Sequence, residues 1–439
     1  MYRTLSAPIT AQWEVTPTCN HVCIHCYNFW RKDPFQKALP KGYQELYQIV
    51  VDDLIISKVF HVVITGGEPL VVIENIAGYI EQLHKAGITI SMNSNLTLLT
   101  PARVELLKKV GVKSILVSLP SANPKTCDFI VNKKNSLPRI KRGIKLAIAS
   151  GFRVSANMVV SQYNYPDIEK TAALAYSLGI SNLSITRASN PIPGSWFADQ
   201  VLTREQFLEM QSLFDVLREK YHYSFESLEA VSLCSYDQAH VFNAVRSCSA
   251  GRSAMAINFY GSIKACIRLE QSYGNITDGL SSAWLSMEDA RSDEWIPDQC
   301  SPCKLRLRCI GGCRADALVA TGSIKGLDGF CEPTKVPIVR PTTLEITSDR
   351  EFKVNRKIRY REESFGGIIL LSTSIWLPVS KNLFRLLQDN TSLSIPDLCV
   401  IFKVEEPEAI KIASHLVQKK FLIPKKKEVK HVQRYSVHD

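Results

Sequence analysis

Three closely spaced cysteines constrain this chain more than any other feature. Cys19, Cys23 and Cys26 stand in TPTCNHVCIHCYN, a C-x3-C-x2-C run. The run directly follows Gln12–Val15, which reads as a short β-strand. Three thiolates this close fold round one metal centre. A structural site closes its coordination shell, whereas a reacting site keeps one position for substrate. Two fillings fit the spacing: a cubane [4Fe–4S] cluster with one iron left open, or a zinc knuckle that borrows His21 or His25. The total of thirteen cysteines bears on the choice, because an odd count cannot close wholly into disulfides. A chain of 439 residues also buries enough core without them. The N-terminal MYRTLSAPITAQWE lacks the apolar run of a signal peptide. No stretch approaches the roughly 20 apolar residues of a bilayer span. The expectation is therefore a cytoplasmic protein, off the membrane, whose reduced cysteines are largely metal ligands.

The first half alternates short apolar runs with longer amphipathic ones. Strands are expected at Gln12–Val15, His61–Thr65, Ile88–Met92, Ser114–Ser118, Arg153–Val159 and Leu183–Thr186. Helices are expected at Tyr43–Ser57, Ile73–Ala86, Pro101–Val110, Pro138–Ser150 and Pro166–Leu178. About six strand–helix units imply an α/β fold with a parallel sheet, open or curled into a partial barrel, over residues 10–230. Reactive groups in such folds sit at the carboxyl ends of strands. Residues 231–335 are rich in cysteine and poor in periodic segments, as expected of a region held by ligation rather than by a large core. Residues 342–424 read as three strands (Glu351–Tyr360, Gly367–Leu371, Ser374–Val379) and then three helices (Lys381–Gln388, Ile395–Phe402, Pro407–Lys419), a small α+β domain of winged-helix type. Residues 425–439 form a basic tail.

His61–Thr65 leads into Gly66-Gly67-Glu68-Pro69. Paired glycines let the backbone approach a ligand closely, and Glu68 offers an acceptor to a cationic amine. A GGEP turn one helix and one strand after the cysteine run resembles the radical S-adenosylmethionine superfamily, and the resemblance spans the whole first half. It implies a partial (β/α)6 barrel. Cys19, Cys23 and Cys26 would hold a [4Fe–4S] cluster whose open iron chelates S-adenosyl-L-methionine. One electron from a donor such as flavodoxin or ferredoxin would cleave the sulfonium. The released 5′-deoxyadenosyl radical would take a hydrogen atom from the substrate. Gly66, Gly67, Glu68 and Pro69 would hold the cofactor amine. Asn93 and Asn95 lie where the family places a strand end near the ribose, and Ser118 and Arg187 are candidates for ribose and carboxylate contacts. Where many relatives read Ser-Leu-Asp-Gly, this chain has Ser118-Leu119-Pro120-Ser121, so details of the substrate pocket do not transfer.

A second cysteine block follows. Cys248 and Cys266 form C-x12-G-x4-C, Cys300, Cys303, Cys309 and Cys313 form C-x2-C-x5-C-x3-C, and Cys331 closes the series. A zinc ribbon accounts for Cys300–Cys313 alone. The full order of seven resembles the SPASM extension of radical enzymes, which implies two auxiliary [4Fe–4S] clusters and three in all. On that pattern Cys300, Cys303, Cys309 and Cys331 ligate one cluster and Cys248, Cys266 and Cys313 the other. Cys234 is then the candidate fourth ligand of the latter group. Cys127 and Cys399 fit neither block and read as packing residues.

The last domain resembles the small recognition domain of peptide-natural-product biosynthesis related to the chaperone of the pyrroloquinoline-quinone pathway, carried by Arg361-Glu-Glu-Ser-Phe-Gly-Gly-Ile-Ile-Leu370. That resemblance implies that the leader of a precursor peptide adds as a strand to its sheet. Charge agrees: of the net +11, +7 lies between Lys335 and Asp439, with 19 basic and 12 acidic residues, which suits an acidic leader. No basic helix or stacking motif points to nucleic acid. The combined reading is a maturase that crosslinks, oxidises or rearranges a ribosomally made peptide. The competing readings are a radical enzyme acting on a folded protein or small metabolite, and a cysteine-rich zinc scaffold.

Overall fold

The structure, a computed structural model, describes residues 3–28, 39, 41–190, 196–221, 225–235, 247–333 and 351–425. The chain divides into two compact units, Met1–Ile338 and Val339–Asp439. Almost all of the expected basic tail lies outside the described residues. No helix among them is long and apolar enough to cross a membrane.

In the first unit seven strands run parallel in chain order: β1 (Thr10–Glu14), β2 (His61–Thr65), β3 (Thr89–Ser94), β4 (Val112–Ser118), β5 (Arg153–Val160), β6 (Leu183–Arg187) and β7 (Phe225–Glu226). The connections carry α1 (Tyr43–Ile56), α2 (Ile73–Lys85), α3 (Pro101–Lys109), α4 (Pro124–Val131), α5 (Ser136–Ala149), α6 (Ile168–Ser177) and α7 (Arg204–Tyr221). Parallel neighbours require a crossover, and these helices supply it. Helices α4 and α7 are not among the elements expected from sequence. The first opens on Asn123-Pro124, which reads locally as a turn. In fact the Asn123 side chain caps it by accepting from the Lys125 amide, with proline at the first helical position. The second buries Phe207, Met210, Phe214 and Leu217, a helical spacing that was legible.

Burial alternates along the strands. On β5, Val154, Ala156, Met158 and Val160 are buried, while Ser155, Asn157 and Val159 are half-buried. On β3, Ile90, Met92 and Ser94 alternate with the half-buried Ser91 and Asn93. A parallel sheet covered by helices on both faces would read as a continuous apolar run. The alternation therefore marks one face under helices and one half-open. The helix side is apolar: α2 contributes Ile73, Ile76, Ile80 and Leu83, each worth roughly 1.5–3 kcal/mol on full burial. The half-open face carries polar groups, among them Gln12, His61, Ser91, Asn93 and Asn157, with His61 Nε2 2.8 Å from Ser91 Oγ and Thr186 Oγ1 donating to Asn157 Oδ1 at 2.9 Å.

The cysteine-rich region is built onto the same sheet. Strand β8 (Ala254–Ile257) pairs in parallel with β1, and β9 (Ser262–Lys264) and β10 (Ser272–Asn275) follow antiparallel. The apolar strand β8 completes the free edge of β1, so residues 231–335 share one compact unit with the barrel strands. Short helices α8 (Leu280–Leu285), α9 (Glu288–Arg291), α10 (Arg306–Cys309) and α11 (Arg314–Thr321) complete this unit.

The second unit contains β11 (Glu351–Val354), the antiparallel sheet β12 (Arg359–Glu363), β13 (Gly366–Ser372) and β14 (Ile375–Ser380), and helix α12 (Lys381–Asp389). It continues through β15 (Ser392–Ser394), α13 (Ile395–Phe402), α14 (Glu406–Gln418) and β16 (Leu422–Pro424), with β15 and β16 flanking β11. One core joins Phe352, Ile369, Phe384, Leu387, Leu398, Leu416 and Phe421. A Cβ on Gly367 would come within 2.1 Å of the Phe384 ring, so only glycine lets α12 pack on β13. The expected single strand Glu351–Tyr360 is two strands, β11 and β12, which belong to different sheets.

Candidate cofactor and cluster sites

The carboxyl end of β1 runs directly into the first cysteine loop, and the GGEP turn fastens that loop from below. Gly67 N donates to Thr16 O at 2.6 Å and Glu68 N to Thr18 O at 2.9 Å. A Cβ on Gly67 would lie 2.1 Å from Thr18 O, and one on Gly66 2.6 Å from Thr16 O. The glycines are thus required first by the approach of the cysteine loop itself. From the other side Val22 N donates to Val131 O and Ile24 N to Ile130 O, hanging the loop on the end of α4. Cys19, Cys23 and Cys26 are all half-buried thiols.

Glu68 is buried (1% exposed) and accepts three bonds: Leu70 N at 3.1 Å and Ser94 Oγ at 2.7 Å on one oxygen, Asn95 N at 2.7 Å on the other. Burial raises its pKa, and the bonds from Asn95, Ser94 and Leu70 offset this in part. Glu68 therefore ties the GGEP turn to the end of β3. Asn95 continues the tie, donating to Asn20 Oδ1 at 2.8 Å and accepting from Thr97; Asn20 in turn donates to Thr97 Oγ1. Pro69 starts a short helical turn and is buried. Asn93 is half-buried on the open face of β3, and Ser118 is exposed at the end of β4, in register with Asn157.

Sequence reasoning missed Asn28. It is buried, its Nδ2 donates to Gly66 O at 3.2 Å, and its Oδ1 has no partner among the described residues. An orphaned buried acceptor beside three thiols and the glycine turn fits a polar cofactor lodged there. The sequence signal was its position two residues after Cys26. Tyr27 was missed as well. Burial pushes its hydroxyl well above the ordinary range, and the charges of Glu14, Cys26 and Cys266 reinforce this.

Glu14, at the end of β1, is buried with Lys264 of β9, Nζ to Oε2 3.4 Å. Burial outweighs the attraction of Lys264 and raises Glu14 to about 7.

The second block separates into two groups. Cys248, Cys266 and Cys313 influence one another: burial raises the pKa of Cys266, and Cys248 adds to it; burial also raises Cys313, with Asp316 adding and Arg268 opposing. Arg268 Nη1 approaches Cys313 Sγ at 3.5 Å. The other group lines a pocket: Cys234, Cys300, Cys303, Cys309 and Cys331 face it together with Leu233, Leu305 and Pro333. This corrects the expectation for Cys234: it stands beside Cys331, Sγ to Sγ 3.2 Å, and not as a fourth member of the Cys248 group. The cause is local. Gly312 has φ +87° and a Cβ there would meet Ser232 N at 2.7 Å, so its lack of a side chain lets the Ser232–Ser235 segment in, where Leu233 N donates to Cys309 Sγ at 3.2 Å. The hydrogen bond with Cys331 lowers Cys234 and brings Cys300 down to about 7, while Cys331 is raised by the same contacts.

Among the described residues no three His, Cys, Asp or Glu side chains close on a point able to hold a metal ion. Five thiols ringing a void have the donor chemistry of an iron–sulfur cluster, and the three-thiol groups suit the same chemistry.

Arg187 corrects a second expectation. Its guanidinium is buried, with Nε 3.1 Å from Glu229 and Nη2 3.0 and 2.7 Å from Asp316 and Asp328, and it lies over the rings of Phe207 and Phe330. Three carboxylates, two of them from the cysteine-rich segment, surround it, so it is a strut between the end of β6 and that segment. Arg268 also pairs with Asp316. Two guanidiniums face three carboxyls, and burial raises Glu229 to about 8 despite Arg187. For Asp316 the opposite holds: burial raises it, but Arg268 and Arg187 outweigh burial and hold it well below the usual range.

Residues 13–175 match the Radical SAM superfamily. The chain is 27% identical over 354 residues to an AdoMet-dependent heme synthase of Methanosarcina barkeri, covering 74% of this chain and 97% of the relative. It is 27% identical over 341 residues to the mycofactocin maturase MftC of Mycolicibacterium smegmatis, covering 75% and 84%. In fold it is similar to Streptococcus suis SuiB, solved with the precursor peptide SuiA, at a TM-score of 0.58 and 18–19% identity, over about three quarters of each chain.

Proposed function

We propose, from the premise that the chain is a radical S-adenosylmethionine enzyme, that it matures a ribosomally made precursor peptide. The observation that carries the reading is the three-thiol loop, clamped by the GGEP turn at the mouth of a half-open polar sheet face, in a chain similar to peptide maturases. Cys19, Cys23 and Cys26 hold a [4Fe–4S] cluster with one iron open to S-adenosyl-L-methionine. That pair, reduced by flavodoxin or ferredoxin, supplies a hydrogen-abstracting radical when bound. The chain's residues position and shield it. Gly66 to Pro69 present backbone groups to the cofactor, and Asn28 offers the acceptor left over by Gly66. Asn93 lies on the half-open face near the carboxyl end of β3. Glu68 acts through the backbone, holding the turn and the end of β3 in one geometry. The cysteines of the second block hold two auxiliary clusters. Cys266 lies beside Tyr27 and hence near the first loop, which suits removal of an electron from a substrate radical.

The second unit holds the leader peptide. Its antiparallel sheet has edge strands β12 and β14, the element to which an extended peptide adds. Co-expression with a candidate precursor tests the proposal: a mass change confined to the core peptide, lost when residues 339–439 are deleted, is the expected result. An unaltered peptide despite cofactor cleavage would overturn it. The similarity to the heme synthase favours a second reading, action on a small metabolite, for which the same deletion leaves turnover intact.

A further inference from the structure

Charge is unevenly placed in the first unit. Residues 125–145 carry seven lysines and arginines against one carboxylate, Asp128, a net +6. Residues 1–334 together carry only +4, so the rest of that stretch is slightly acidic. The single carboxylate is occupied, accepting from the amides of Asn135 and Ser136 at 2.7 and 2.8 Å. Lys125, Lys133, Lys134, Arg139, Arg142 and Lys145 are exposed. The last three, spaced three apart on α5, share one stripe.

This basic segment is the one from which the first cysteine loop hangs. Val22 N and Ile24 N donate to Val131 O and Ile130 O at 3.1 and 2.9 Å, and Lys133 Nζ reaches Asn20 O at 3.3 Å. Val22 stands between Cys19 and Cys23 and is 61% exposed. Phe129 of α4 and Tyr163 beyond β5 are exposed as well, with ring centroids 4.6 Å apart. Apolar groups at the centre and charge at the rim are the composition of a docking surface.

We propose, on the reading that Cys19, Cys23 and Cys26 hold a reducible cluster, that this face docks an acidic one-electron carrier protein of the flavodoxin type. Electron transfer weakens steeply with distance, and a carrier seated on Val22 lies against the loop that holds the cluster. The carrier loses one electron and the cluster gains it. Encounters of this kind need little buried area, and opposite charge speeds them. An acidic leader peptide has the same sign of charge, but a substrate must reach the half-open sheet face. The exposed stripe of α5 is turned away from that sheet, against which the helix buries Leu137, Ile140, Ile144 and Ala147.

The full chain, reconstituted anaerobically with iron and sulfide, is assayed for 5′-deoxyadenosine with dithionite or with limiting reduced flavodoxin. In the double variant Lys134→Glu/Arg139→Glu the flavodoxin-driven rate falls roughly tenfold and the dithionite-driven rate is unchanged. The flavodoxin-driven rate of the unsubstituted chain also falls as sodium chloride is raised. Reversing two exposed charges at the amino end of β4, in Lys109→Glu/Lys113→Glu, leaves both rates unchanged. An unaltered flavodoxin-driven rate in the first variant overturns the proposal, as does an equal loss with both reductants or an equal loss in the control variant. It is overturned too if the first variant impairs only dithionite-driven modification of a precursor peptide, which would assign the face to the substrate. Failure of the underlying reading looks different: the unsubstituted chain would form no 5′-deoxyadenosine even with dithionite.

Discussion

The two cysteine regions reach a similar donor chemistry by opposite routes. The first loop is short, continuous in sequence, and held by backbone: strand β1 enters it, the GGEP turn underlies it through Gly67 and Glu68 amides, and α4 supports it through two carbonyls. The second block draws its thiols from segments about a hundred residues apart, from Cys234 to Cys331, and is anchored by charged side chains, with Arg187 and Arg268 facing Glu229, Asp316 and Asp328. A site held by backbone geometry tolerates changes of side chain but not of glycine. A site held by a buried ionic network depends on each charge having its partner.

Removing a thiol from the first loop breaks the contrast most sharply. Cys23→Ala is expected to reduce 5′-deoxyadenosine formation with dithionite to background, read by chromatography, whereas loss of one thiol from the pair Cys234 and Cys331 leaves it measurable. The next largest effect is on the ionic strut. Arg187→Leu leaves three buried carboxyls with one fewer cation, at a cost of roughly 3–5 kcal/mol, visible as a lowered midpoint in chemical denaturation. An unchanged midpoint would mean that the strut does not hold the segment.

The smallest effect concerns Glu14, which joins the two regions through Lys264. Its native pKa of about 7 exceeds the ordinary 4.5, so the folded protein holds the proton more tightly than the unfolded chain. Its contribution to stability is complete below pH 4.5 and is lost as pH rises through 7. Relative to Glu14→Gln, the unsubstituted chain should lose about 3 kcal/mol over that interval. Parallel pH profiles of the two proteins would instead assign Glu14 an ordinary pKa.

Much of the barrel was legible in the residues. The six expected strands are all present within a few residues of their predicted bounds, because period-two burial and helical spacing are local properties of the chain. The three thiols and the glycine turn could be recognised for the same reason: each motif is contiguous. Asn28 escaped because its one local signal, a place two residues after Cys26, does not tell an asparagine with an orphaned oxygen from a solvated one. Arg187 was assigned to a cofactor contact because its three carboxylate partners lie 42, 129 and 141 residues away in sequence.

The sequence by itself determined the strand–helix alternation, the thiol count and the glycine turn beneath the first loop, since these follow from side-chain periodicity and from backbone conformations open only to glycine. Only the tertiary structure decided that β8 would complete the edge of β1, that Arg187 would become a strut, and that Cys234 would join Cys331. Each of those depends on which distant segments share a buried space, and there the cost of an unpaired charge or backbone group, which no local pattern encodes, selects the partner.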